Sequence, residues 1–101
     1  MISTKPQRFR ACVLKPVLRH EEMREAEAML DEAVGLALAV KIEVVAAEYF
    51  NLARPAPATL LGKGLVETYD RFIKEEALDL VVIDHALSPI QQRNLERAWQ
   101  A

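Results

Sequence analysis

The 101-residue chain is short of several things, and each shortage narrows what it can be. A single cysteine, Cys12, rules out an internal disulfide; its place in the apolar run from Ala11 to Leu14 marks it as a small core residue of a protein in a reducing compartment. With only His20 and His85 beside that cysteine, no metal-ligand spacing exists and no metal site is expected. No apolar run approaches the roughly 18 residues that a membrane span requires. The stretch after Lys5, Arg8 and Arg10 is broken by Lys15 and Pro16, which makes a poor signal peptide. The expectation is therefore a cytoplasmic, soluble chain with no membrane partner. Nor is there a basic excess: 13 Lys and Arg stand against 15 Asp and Glu, a formal net charge of −2. A domain built mainly to grip RNA phosphates carries the opposite balance, so only a local basic patch is left to that role.

What is present reads as one domain, long enough for a modest core and too short for two. Residues 1–8 are polar and expected to be flexible, with the folded domain spanning 9–101. Phe9 to Leu14 reads as a first strand ending near Pro16. From Glu21 to Val40 the periodicity is helical: Met23, Ala26, Leu30, Ala33, Val34 and Ala37 share one face, and Arg24, Glu25, Glu27, Asp31 and Glu32 the other. Ile42 to Phe50 reads as a second strand. Pro55 and Pro57 force a loop over 51–59, and Thr59 to Leu61 reads as a short strand ending at Gly62. Leu65 to Glu76 is helical again, with Leu65, Tyr69, Phe72 and Ile73 inward. Asp79 to Ile83 reads as a fully apolar core strand and Ser88 to Gln100 as the last helix. Alternation of strands with crossover helices predicts an α/β domain: a mostly parallel three- to four-stranded sheet flanked by about three helices.

Two helix starts are the candidate binding sites. Gly62-Lys63-Gly64 lies between a predicted strand and a predicted helix, where backbone N–H groups and the helix dipole attract an anion. A lone Gly-x-Gly also serves simply to turn tightly, and that reading is preferred. Leu65 and Val66 follow, so no G-x-x-x-x-G-K-[ST] phosphate loop is present. At the second start, Ser88 can cap the helix, Pro89 suits its first position and Gln91 closes a capping box. Capping leaves Gln92, Arg93 and Asn94 unexplained, and these are the candidates for a contact surface toward RNA or an adjoining domain. Asp84 and His85 end the core strand; with no nucleophile nearby, turn chemistry is preferred to acid–base machinery. Trp99 is expected to pack over the sheet, and Tyr49 and Phe50 to be core and rim. No catalytic residue is assigned and the chain is read as a non-enzyme.

The string Leu87-Ser88-Pro89-Ile90-Gln91-Gln92-Arg93-Asn94-Leu95-Glu96, preceded by the strand Asp79-Leu80-Val81-Val82-Ile83-Asp84, resembles the N-terminal domain of the HflX family of translational GTPases. Arg54 to Gly64 looks like that family's proline-rich loop running into a Gly-x-Gly turn, and Glu43-Val44-Val45 falls where its second strand begins. The resemblance covers nearly the whole chain, and it implies an accessory domain that helps association with the large ribosomal subunit and its rRNA and communicates with a G domain in cis. That G domain, with GTP and magnesium, would lie beyond residue 101, after a further strand and a helical hairpin, so this chain would be a fragment with no cofactor of its own. An adenine nucleotide at the Gly62 turn, or a purely structural packing role, are the alternatives; a weak dimer of the fragment is a further expectation. Two departures stand out. Lys41 occupies the place of the family's helix-ending glycine, and Leu65 replaces a lysine after the second glycine.

Overall fold

Six elements follow one another in the computed structural model, which describes residues 9–18 and 23–100. They are β1 (Arg10–Leu18), α1 (Met23–Ala39), β2 (Glu43–Leu52), α2 (Lys63–Glu75), β3 (Leu80–Ile83) and α3 (Pro89–Trp99). The expected flexible segment 1–8, the helix start at Glu21, and His20 lie outside the described residues. The three strands form one parallel sheet in the order β2-β1-β3, as the alternation of strands and helices predicts.

The central place of β1 decides where the core sits. Ala11, Cys12, Val13 and Leu14 are completely buried because β1 has a strand on each side and helices on both faces. Cys12 and Leu14 point to one face, where they meet Leu52, Leu60, Leu61, Tyr69, Ile73, Leu78, Leu95 and Trp99. Ala11, Val13 and Val17, of the opposite parity, point to the side that α1 covers with Ala26, Leu30 and Ala37. The charged residues expected on the outer face of α1 are exposed there; Met23, expected on the inner face, is 38% exposed at the helix start. α2 and α3 pack against each other on the far side.

Three expectations need correction. The apolar stretch Leu80–Ile83 is not the core strand: among the described residues it pairs only with β1 and lies at the sheet edge, and all four of its residues are half-buried. The first strand does not stop before Pro16 but runs on to Leu18. Its tolerance of a proline follows from parity. The carbonyls of Arg10 and Leu14 accept from Asp79 N–H (2.7 Å) and Asp84 N–H (2.8 Å), so even-numbered residues direct their backbone toward β3. β3 has ended by Pro16, whose missing N–H therefore costs no ladder bond. Finally, Thr59–Leu61 is not a strand of the sheet. Ala56 and Leu60 exchange two 2.8 Å backbone bonds as an isolated antiparallel bridge, closing the proline loop on itself.

The Lys41 departure is resolved by the backbone. Lys41 adopts the left-handed conformation at φ 63°, with Ile42 N–H donating to the Ala37 carbonyl (3.1 Å) and Lys41 N–H to the Leu38 carbonyl (3.0 Å). This is the Schellman closure that glycine makes at little cost. A side chain there costs about 1 kcal/mol, which the two satisfied carbonyls offset.

Candidate functional site at the C-terminal edge of the sheet

In a parallel sheet with antiparallel covering helices, each helix begins at the carboxyl end of the strand before it, so the starts of α2 and α3 share one edge. The loop between β2 and α2 lies at this edge too.

The start of α3 forms as the sequence requires. Ser88 Oγ accepts from the Gln91 N–H at 3.1 Å, and the Gln91 side-chain carbonyl accepts from the Ser88 N–H at 3.0 Å. Pro89, without an N–H, occupies the first helical position. The amide nitrogen of the same Gln91 reaches across to the proline loop, donating to the carbonyls of Ala56 and Pro57, each at 3.4 Å. One turn on, Asn94 Nδ2 donates to the Ala58 carbonyl at 2.9 Å. Prolines at 55 and 57 prevent that loop from pairing as a strand, so its carbonyls need donors from elsewhere. Gln91 and Asn94 supply them and fasten the loop to α3.

Of the three polar residues that capping leaves unexplained, two thus have work inside the chain. Asn94 holds the loop, and Gln92 Nε2 bonds the Glu96 carboxylate one turn along the helix at 3.1 Å. Arg93 is exposed and makes no ion pair among the described residues. Arg97, one turn further on, is exposed and unpaired in the same way. The two guanidinium groups therefore share the solvent side of α3, opposite the buried Leu95 and Trp99. Trp99 packs between α3 and α2, with its indole N–H donating to the Val66 carbonyl at 2.9 Å.

At the other helix start, Gly62 is the cap residue of α2, and Lys63 and Gly64 are its first two positions. The glycines are not there to make a tight turn. Gly62 has φ −65° and ψ 162°, an extended conformation open to any residue, and no glycine of the chain has a positive φ. A Cβ at Gly62 or Gly64 would meet nothing within 4 Å. Among the described residues no side chain caps this helix, and no acidic residue lies in its first turn. Its first N–H groups are thus free of side-chain competition, with Lys63 exposed beside them.

The same edge holds a residue that the sequence reading passed over. Lys15 is only 3% exposed, and its Nζ donates to the Asp84 carbonyl at 3.0 Å. Reading it as the residue that breaks the apolar run hid its position inside β1, between Leu14 and Val17. The turn at Asp84 is accordingly held through backbone: its N–H goes to Leu14, its carbonyl to Lys15, and its carboxylate makes no hydrogen bond among the described residues. An open cavity of about 370 Å³ lies nearby between the ends of β1 and β2, lined by Val17, Asn51, Leu52, Ala53 and Arg54. Among the described residues no group of three or more His, Cys, Asp or Glu is placed to hold a metal, and no helix is long and apolar enough to cross a membrane.

Comparison with known proteins places this architecture. The chain is 40% identical over its whole length to a GTPase HflX of Magnetococcus marinus, of which it covers 23%. About half of it is 51% identical to a GTPase HflX of Treponema denticola, covering 12% of that protein. Over 81 residues it is 30% identical to a GTPase HflX of Flavobacterium psychrophilum, covering 20%. It thus spans less than a quarter of the length of these relatives. Residues 27–101, from the first turns of α1 through the proline loop and the capped start of α3, match the family of GTP-binding GTPase N-terminal domains, and the chain belongs to that family.

Proposed function

We propose that this chain is the N-terminal accessory domain of an HflX-like GTP-binding protein, helping it to associate with the large ribosomal subunit and transmitting that contact to a G domain in cis. GTP binding and hydrolysis, with magnesium, belong to sequence outside these 101 residues. Family membership supports the general role, and the observation that carries the docking surface is the solvent side of α3. Arg93 and Arg97 project together from a helix whose start is fastened by Gln91 and Asn94 to the proline loop. Two guanidinium groups with no ion pair among the described residues, on a held element, suit phosphate oxygens even on a chain of net charge −2. Co-sedimentation of the whole protein with large subunits tests this. Replacing both Arg93 and Arg97 with alanine is expected to weaken binding about tenfold or more and to flatten its salt dependence. Unchanged binding by that variant rules out this face as the contact.

A second reading rests on the start of α2, where uncapped N–H groups, open space at both glycines and Lys63 suit a nucleotide phosphate. It predicts that calorimetric titration of the chain with ATP gives a Kd tighter than about 1 mM, near −4 kcal/mol, and that Lys63→Ala weakens it. Absence of heat with ATP, ADP and GTP leaves docking alone.

A further inference from the structure

Away from the loop edge, the outer flank of the domain carries a pocket that neither reading uses. It lies between β2 and α2, has a volume of about 320 Å³, and is lined by Glu48, Phe50, Leu65, Thr68, Tyr69 and Phe72. Parity explains how the residues meet. Glu48 pairs with Leu14 and Phe50 with Pro16, so both strand residues share the face that α2 covers. From α2, Leu65, Thr68, Tyr69 and Phe72 stand at i, i+3, i+4 and i+7 and line one stripe. The Phe50 and Tyr69 rings lie 6.2 Å apart at 34°, and Phe72 is half-buried beside them.

The chemistry of the lining is specific. Three aromatic residues line it, and the only charged group among the six is a carboxylate; an aromatic ring attracts a cation through its π face. Glu48 is exposed and makes no ion pair or hydrogen bond among the described residues; the Tyr69 hydroxyl likewise makes no hydrogen bond. Its field reaches inward, since after burial it is the next cause that raises both the Tyr69 hydroxyl and the Cys12 thiol above their ordinary pKa values. An aromatic pocket with an unanswered carboxylate selects a cation and repels a phosphate.

The pocket also adjoins an open strand. β2 is ten residues long and pairs only with β1, so among the described residues its outer edge has no partner. It carries none of the lysines or prolines that commonly guard an edge, and its two charges are Glu43 and Glu48. A strand added there would lie about 4.8 Å outside β2, and its side chains on the α2 face would be cross-strand neighbours of Glu48 and Phe50. One of them would enter the pocket.

We propose that the outer edge of β2 receives an extended, basic polypeptide segment, whose arginine or lysine side chain fills the pocket of Glu48, Phe50, Tyr69 and Phe72. Backbone pairing supplies the alignment and the pocket supplies the choice of side chain. The inference is independent of the docking face on α3.

The test is an amide NMR titration of the 101-residue chain with an acetylated, amidated pentapeptide of sequence threonine-valine-arginine-valine-threonine. Shifts are expected along β2 and across Leu65 to Phe72, with a Kd of about 1 mM or tighter. Exchanging the peptide's arginine for neutral citrulline, or Glu48 for glutamine, is expected to weaken binding about tenfold. Glu48 is exposed, so Glu48→Gln leaves the unbound spectrum otherwise intact. Equal binding of the citrulline peptide overturns the cation pocket. Shifts reproduced at the same concentration by arginine amide alone overturn the strand addition, because a small cation then suffices. No shift at several times 1 mM overturns the proposal as a whole.

Discussion

Replacing Trp99 with alanine is expected to destabilise the domain by about 3–5 kcal/mol, the range for removing a large buried aromatic. The side chain is 4% exposed and belongs to the same cluster as Leu14, Leu61, Tyr69, Ile73 and Leu95. Truncation removes the ring that α3 inserts against α2, and it also strips the Val66 carbonyl of the indole N–H that now reaches it at 2.9 Å. A chain of this size has a total stability of about 5–15 kcal/mol, so the loss is a large share of it. Urea denaturation followed by far-UV circular dichroism is the measurement, since the variant lacks the only tryptophan for fluorescence. Trp99→Phe separates the two contributions: it keeps a ring in place, forfeits the hydrogen bond, and is expected to cost about 1–2 kcal/mol. A loss below about 1 kcal/mol for Trp99→Ala would mean that α3 is not docked as described.

The second large effect is alkaline. Burial, and then the negative charge of Glu48, push the Cys12 thiol from 9.0 up to about 11. The same two causes, in the same order, push the Tyr69 hydroxyl from 10.0 up to about 12. Both groups hold their proton more tightly in the folded chain than in the unfolded one. Their contribution to stability is complete below pH 9, and it is lost as pH rises toward 12, because the unfolded chain releases the protons first. Each group is expected to account for about 1–2 kcal/mol over that window. Denaturation midpoints measured from pH 8 to 11 should fall, with a shallower fall in Cys12→Ala. A midpoint that holds level through pH 11 would contradict the burial of both groups. Thiol chemistry reports the same property at lower pH. At pH 8 the folded chain carries about a hundredfold less thiolate than the unfolded chain, and Cys12 is completely shielded as well. Labelling by a thiol reagent is therefore expected to slow by at least about a hundredfold on folding.

These two predictions draw on side chains whose burial the linear pattern conveyed unequally. Cys12 sits in a short apolar run and reads as core without help. Trp99, near the end of a polar helix, shares its inward side with Leu95 at i−4, which is enough to turn it toward the sheet. Leu80 to Ile83 misled for a physical reason. Apolarity marks a strand for burial on its faces, yet it carries no information on whether a second strand lies alongside. With β1 on one flank only, those residues remain half-buried.

The candidate site divides along the same line. The capping box of Ser88 and Gln91 joins residues three apart, and its bonds appear where the spacing puts them. The bonds that give this helix start its place in the molecule join Gln91 and Asn94 to carbonyls 34 to 36 residues earlier. Those carbonyls belong to a loop whose shape depends on Pro55 and Pro57 and on the small bridge between Ala56 and Leu60. No local pattern pairs a glutamine or asparagine with one particular backbone oxygen at such a distance. The glycines teach a related lesson. Leu60, Lys41, Ala77 and Gln100 take positive φ, while Gly62 and Gly64 do not need their freedom. Packing over-determines these backbones, and the intrinsic preference of the residue yields to it.

The linear chain set the class of fold, the kinds of elements and their approximate order, and the capped start of α3, because these follow from periodicity and from bonds between near neighbours. It also carried the family, through a long polar string that local chemistry only partly accounts for. Tertiary structure alone decided that β1 is central and β3 an edge, that Pro16 falls where no donor is needed, and that Lys15 is buried against Asp84. It likewise decided that Glu48 lines one pocket with three aromatic residues, on a strand whose outer edge has no partner among the described residues. Each of these depends on which distant segments lie side by side, and that is settled by how two faces of one small sheet are covered.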